Sequence, residues 1–174
     1  ACIMLTNFKL KLLKKKLEKN LKKRDMSQLH SRLETIGFIM DENDVTAIET
    51  LRKLSSSLGI EDDNCKVLTF HKFKRNTKLK VDHLHRKQIS WRGTIDNVNA
   101  VRFTKEPFDV LIGYYNGAQP YLDFLISESD ARFKVGLAAS DLRLFDLQIQ
   151  VQKSNTISLE KELKTYLHVL GKVN

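Results

Sequence analysis

The stretch Phe108-Asp109-Val110-Leu111-Ile112-Gly113-Tyr114-Tyr115 is apolar at nearly every position, so neither of its faces suits water. A strand of that kind belongs in the middle of a parallel sheet, with helices covering it above and below. The flanking chain supplies both kinds of partner. Ile36-Gly37-Phe38-Ile39-Met40 and Lys66-Val67-Leu68-Thr69-Phe70 read as strands, with a third expected at Gln88-Ile89-Ser90-Trp91 and another at 133–137. Leu147-Gln148-Ile149-Gln150-Val151-Gln152 alternates strictly, the pattern of a half-exposed strand near a sheet edge. Between these lie helical periods: Val45, Ile48, Leu51, Leu54 and Leu58 before Gly59, then Tyr121, Leu122, Phe124, Leu125 and Ile126 after Pro120. The last is Leu159, Leu163, Tyr166, Leu167 and Leu170, expected to start at a Ser158 cap and end at Gly171. Strands alternating with helices predict a three-layer, Rossmann-like α/β domain with a mostly parallel sheet over residues 36–174.

Residues 1–35 stand outside that alternation. Leu10, Leu13, Leu17, Leu21, Leu29 and Leu33 recur in steps of three or four, with Asp25 where another apolar residue is due. They predict one long basic amphipathic helix from about Leu5 to Thr35. At 174 residues the chain is large enough to bury a core without a metal or disulfide. Its two cysteines, Cys2 and Cys65, are too isolated to frame a secreted fold or a zinc site. Lysines interrupt the apolar stretch that a signal peptide needs, and nowhere do 18 apolar residues run together, so a cytoplasmic setting is expected.

The net charge of +9 is concentrated in two blocks. Residues 1–25 carry Lys9, Lys11, Lys14, Lys15, Lys16, Lys19, Lys22, Lys23 and Arg24 against two acids. Residues 66–92 carry Lys66, Lys72, Lys74, Arg75, Lys78, Lys80, Arg86, Lys87 and Arg92 against Asp82 alone. These blocks have net charges of +7 and +8, which leaves the remainder of the chain at −6. Segregation on this scale points to a polyanionic partner reached by two basic elements. A purely structural helix usually mixes Glu with Lys four residues apart, whereas Lys14, Lys15 and Lys16 stand together and repel.

The segment from Phe108 to Gly136, with its Asp-x-x-Ile-like strand Asp109-Val110-Leu111-Ile112, helix and Ala131-Arg132-Phe133-Lys134-Val135-Gly136, resembles part of the N-terminal domain of heptosyltransferase-type glycosyltransferases. That resemblance covers about 30 residues and implies a Rossmann-like fold; the family binds nucleotide-sugar largely through a second half for which this chain has no room. Over its full length the chain is similar to a family of small Bacteroidota proteins, which implies a bacterial cytoplasmic setting and no particular activity.

Other constellations have simpler explanations. In the second block Phe73 and Trp91 are interleaved with cations, as in proteins that stack unpaired bases, yet a single tryptophan closing a strand is expected in the core. His83-Leu84-His85, with His71, lacks further ligands and is read as polar or phosphate contacts, so no metal is assigned. Asp41, Glu42 and Asp44 suit a helix N-terminus. Asn116-Gly117-Ala118 lacks the glycine pattern of a phosphate cradle, and no serine has a histidine and an acid arranged for nucleophilic catalysis.

No cofactor and no reaction are called for. The expectation is a non-catalytic RNA-binding protein, associated with ribosomal RNA and ribosomal proteins. It would dock through Lys9, Lys11, Lys14, Lys15, Lys16, Lys19, Lys22, Lys23 and Arg24, with a second contact at Lys72, Lys74, Arg75, Lys78, Lys80, Arg86, Lys87 and Arg92. Two alternatives remain open: a nucleotide-binding or glycosyltransferase-like domain acting with a partner, and an adaptor on an anionic membrane surface or secretion machinery, inserting Phe8, Leu10 and Leu13.

Overall fold

The computed structural model describes residues 2–41, 45–71 and 83–174. The central strand β4 (Val110–Tyr114) lies beside β1 (Ile36–Met40), and both are fully buried. β2 (Cys65–His71) and β3 (His83–His85) extend the sheet on one side, and β5 (Lys134–Gly136) and β6 (Leu147–Gln148) on the other. The order is β3-β2-β1-β4-β5-β6 and every pair is parallel, with Ile36 aligned to Cys65 on one side and Val110 on the other. This is the doubly wound order whose direction of winding reverses between β1 and β4.

Alternate side chains of the strands enter two cores. Ile36, Phe38, Met40, Val110, Ile112 and Val135 meet α2 (Val45–Ser57) and α5 (Thr156–Val169), where Leu51, Leu54, Leu159, Leu163 and Leu167 are buried. On the opposite face Ile39, Leu68, Leu84 and Leu111 meet α3 (Val98–Lys105) and α4 (Pro120–Glu128) through Ala100, Phe103, Leu122, Phe124, Leu125 and Ile126. Leu13 and Leu17 of α1 (Cys2–Lys23) join this second core, so the N-terminal helix is packed on the domain against α4. Each such buried side chain is worth roughly 1.5–3 kcal/mol.

The predicted helix to Thr35 ends early, at Lys23. Asp25 Oδ1 accepts the Ser27 N–H at 2.8 Å and starts a turn, and the chain then passes to the other face of the sheet, where Leu29 and Leu33 pack in the first core. One continuous leucine period therefore feeds two cores. Lys172 holds the connecting segment: its Nζ donates to the carbonyls of Leu29 (2.5 Å) and Ser31 (3.0 Å) and lies 4.6 Å from the Phe133 ring. Asp109 fixes the start of β1 to β4, accepting from the N–H groups of Glu34 and Thr35, the Thr35 hydroxyl and Arg132 Nη1. Burial alone would raise the Asp109 pKa, but these donors together hold it below the ordinary carboxylate value.

The third strand is His83–His85 rather than 88–91. Arg86–Gln88 form a short 3-10 turn, in which His85 accepts from Lys87 N–H and Gln88 accepts from His85 N–H, and Ile89 makes only an antiparallel bridge to Ile95. Helix α3 has no counterpart in the sequence reading because its Val98 and Val101 are exposed, which blurs the apolar stripe; Asn97 caps it by accepting from Ala100 N–H. Asn155 rather than Ser158 caps α5, and Tyr166 and Leu170 of its expected apolar face are exposed. β6 is the edge strand its alternation predicts, but it spans two residues before the chain turns under with Ile149 buried.

Candidate nucleic-acid interface

Helix α1 is held on the domain by cations as well as leucines. Lys9 Nζ donates to the Arg86 carbonyl at 2.6 Å and lies 5.4 Å from the Tyr121 ring; burial, then the Arg86 charge, lower its pKa. Lys16 Nζ reaches the Gly93 carbonyl at 2.8 Å and Glu128 at 2.9 Å, over the Phe124 ring. Arg24 grips Asp146 with both Nη atoms, at 2.7 and 2.5 Å, a bidentate pair largely shielded from water. Asn20 bonds Ser127 and Glu128, and Glu18, the only acid within α1, pairs with Arg143 at 2.7 Å.

These contacts turn the helix so that Lys11, Lys14, Lys15, Lys19, Lys22 and Lys23 are exposed. Among the described residues none of the six makes an ion pair. Lys11, Lys15 and Lys19 follow one another at four-residue steps, about 6 Å apart along the axis, with Lys22 on the same side. Like charges in that arrangement repel.

The described end of the second basic block, residues 86–92, meets the first. Ser90 N–H donates to Thr94 O and Gly93 N–H to Ser90 O, closing a tight turn with Trp91 and Arg92 at its tip and Gly93 at φ +74°. A Cβ at Gly93 would stand 2.6 Å from Lys16 Cδ, so only glycine lets the turn approach α1 this closely. Trp91, expected in the core, is 45% exposed; its ring packs edge-on against Phe8, itself 51% exposed, with centroids 5.8 Å apart. The chain turns here instead of forming the strand that would have buried the tryptophan. Arg86, Lys87 and Arg92 are exposed beside this junction. Lys72, Phe73, Lys74, Arg75, Lys78 and Lys80 lie outside the described residues; on either side of that segment the His71 and His83 rings stand 4.3 Å apart. Burial first, then His83 and His85, lower the His71 pKa.

The other ligand position of a doubly wound sheet is the crevice beyond the carboxyl ends of β1 and β4. Here Lys153 bridges it. Its Nζ bonds Asp41 at 2.8 Å, its N–H donates to Asn116 Oδ1 at 2.9 Å and its carbonyl accepts the Tyr114 hydroxyl at 2.6 Å. The sequence joining β1 to α2, Asp41-Glu42-Asn43-Asp44, holds three acids and no glycine, and Glu42 and Asp44, expected at a helix N-terminus, lie outside the described residues. Nearby, a cavity of about 330 Å³ between α1 and the start of α4 is lined by Lys11, Lys14, Leu17, Asp123 and Arg143 among others. Burial lifts the Asp123 pKa to about 6, partly countered by the Tyr115 hydroxyl donating to it at 2.7 Å.

The profile of a family of unknown function, DUF6913, matches residues 9–170. The chain belongs to that family. No curated protein and no solved structure matches it, and the comparisons lend the heptosyltransferase-type resemblance no support. The DUF6913 match begins at Lys9 and includes most of α1 and the whole second basic block, placing both within the family's domain. Sequence reasoning did not foresee the Phe8–Trp91 pair: these residues are 83 positions apart and neither carries a local signal of the other.

Proposed function

We propose that this chain is a non-catalytic RNA-binding protein of the bacterial cytoplasm, associated with ribosomal RNA. The observation that carries the reading is the meeting of α1 with the 86–92 end of the second basic block, through Lys9 with Arg86, Lys16 with Gly93 and Phe8 with Trp91. Unpaired exposed lysines release condensed counterions when they neutralise phosphates, a salt-sensitive and largely sequence-independent source of affinity. Lys9, Lys16 and Arg24 serve this face by positioning α1 rather than by touching the partner.

A membrane-surface role is favoured by Ile3, Met4, Leu5 and Phe8, all exposed at the start of α1. Against it, Leu13 and Leu17 are buried in the protein's own core, which removes most of the stripe that would enter lipid. A nucleotide-binding or transferase role has less support, given three acids at the first strand-to-helix turn and the Lys153 bridge over the crevice.

The test is sedimentation from lysate through sucrose gradients at low and high salt, comparing the intact chain with a variant carrying Lys11→Gln, Lys15→Gln, Lys19→Gln and Lys22→Gln. The intact chain is expected to travel with a ribosomal subunit at low salt and to leave it at high salt, while the variant stays at the top. With purified single-stranded RNA, each lysine that contacts phosphate contributes about 0.7 to the slope of log affinity against log salt. Failure of the intact chain to leave the top of the gradient at any salt, together with no binding to purified RNA, overturns the reading.

A further inference from the structure

The lysine ridge accounts for attraction to any polyanion but leaves the aromatic pair at its end unexplained. Resting on the RNA reading above, we infer that the Phe8–Trp91 pair is a stacking platform, and that the ligand of this face is an unpaired stretch of RNA rather than a duplex. Large aromatic rings usually bury most of their surface, and here two of them meet in solvent at an interplanar angle of 70°. Roughly half of each residue is left open to solvent.

Both residues sit on anchored backbone. Trp91 sits in a turn closed by two backbone hydrogen bonds and tied to α1 through the Lys16 contact with Gly93. Phe8 projects from a helix whose next turns are anchored by Leu13 and Lys16. A base stacking on the platform therefore meets residues on a preordered backbone, which limits the conformational entropy lost on binding.

The charges lie where a strand leaving the platform needs them. Arg92 is the residue after Trp91, and Lys11 and Lys15 follow Phe8 on the outward side of α1, about 4 and 10 Å along its axis. This combination of an aromatic face for the base and a row of cations for the backbone is how unpaired nucleic acid is held without regard to sequence. In a duplex the base faces are already stacked on one another, so only the lysines have something to bind.

Trp91 is the only tryptophan in the chain, and its emission reports on the platform directly. The full chain is titrated with a single-stranded oligouridylate and with an RNA duplex of equal length at matched ionic strength. Quenching by the single strand and none by the duplex is the expected result. Trp91→Ala and Phe8→Ala each weaken single-strand binding about tenfold, with duplex binding and salt slope unchanged, and Trp91→Phe restores most of the loss. Circular dichroism confirms that the variants are folded; if Trp91→Ala is not, Phe8→Ala and the quenching of the intact chain decide. Lysine-dependent binding of both RNAs, without quenching and without an effect of either alanine, overturns the platform and leaves the RNA reading standing. If neither RNA binds at low salt while anionic vesicles shift the Trp91 emission to the blue, both ideas fail.

Discussion

Asp123 and Lys134 are two buried ionisable residues whose charges the fold opposes. Burial raises Asp123 to about 6 and lowers Lys134 to about 7, the latter donating from Nζ to the Ile126 carbonyl at 2.7 Å. For Asp123 the folded chain keeps a proton that the unfolded chain releases near pH 4, so its contribution to stability declines as pH rises from about 4 to 6. For Lys134 the unfolded chain holds the extra proton, so stability rises as pH climbs from about 7 towards 10.5. Both penalties coincide near neutrality. Asp123→Asn keeps an acceptor for the Tyr115 hydroxyl and removes the buried charge. It is expected to stabilise the chain by about 1–2 kcal/mol at pH 7.5 and to do nothing favourable at pH 4.5. Urea midpoints at the two pH values check this as a difference from the parent, which cancels the opposite trend from His71 and His85, both lowered in the fold. An equal shift at both values would show that the carboxyl is neutral throughout or charged throughout. None of this was legible in the sequence: Asp123 and Lys134 look like ordinary surface residues between apolar neighbours, and only the packing of α4 on β4 and β5 makes them costly.

The elements were legible where one local pattern served one burial environment. β1, α2, β4 and α4 are such cases, because a run with a single face or two equally buried faces leaves its period in the sequence. Helix α1 misled because Leu13 and Leu17 enter one core while Leu29 and Leu33, which continue the same four-residue spacing along the sequence, enter the other. The hairpin tip misled because Ile89 and Trp91 alternate like a strand, while Gly93 two positions on makes a turn. Gly93 tests how far this element depends on α1. Gly93→Ala meets both a left-handed φ and Lys16 Cδ at 2.6 Å, so it is expected to cost about 1–2 kcal/mol and to lift the turn away from Phe8. Urea unfolding measures the first effect, and a red shift of Trp91 emission, as the ring loses its neighbour, measures the second. Gly117→Ala is the matched control for backbone strain, having a similar φ of +68° and open space around it. A Gly93→Ala chain with unchanged emission would mean that the turn keeps its place without the close approach to α1.

At the scale of the molecule, α1 adds a further helix over the core that α3 and α4 form on one face of the sheet. Its leucines enter the second core, Arg24 closes on Asp146 beside β6, and Asn20 and Lys16 both reach Glu128 at the end of α4. The sequence set residues 1–35 apart because they stand outside the strand–helix alternation, and their charge describes the outer face of a helix while saying nothing about the inner one. Removal of residues 1–23 would expose the Phe124 side of α4 and break the bonds from Lys9, Lys16 and Asn20. Each core leucine lost costs about 2–5 kcal/mol when nothing fills its place, so two of them approach the whole stability of a typical domain. The shortened chain is therefore expected to lose its cooperative thermal transition and to aggregate. The four-fold lysine-to-glutamine variant, which changes only the outer face, is expected to melt at the parent temperature or a few degrees above it, since like charges at four-residue spacing no longer repel. Calorimetry on the two chains separates an arm from a structural helix. A shortened chain that still melts cooperatively near the parent temperature would make α1 an appendage after all, and loss of RNA binding on its removal could then be read directly as loss of contacts.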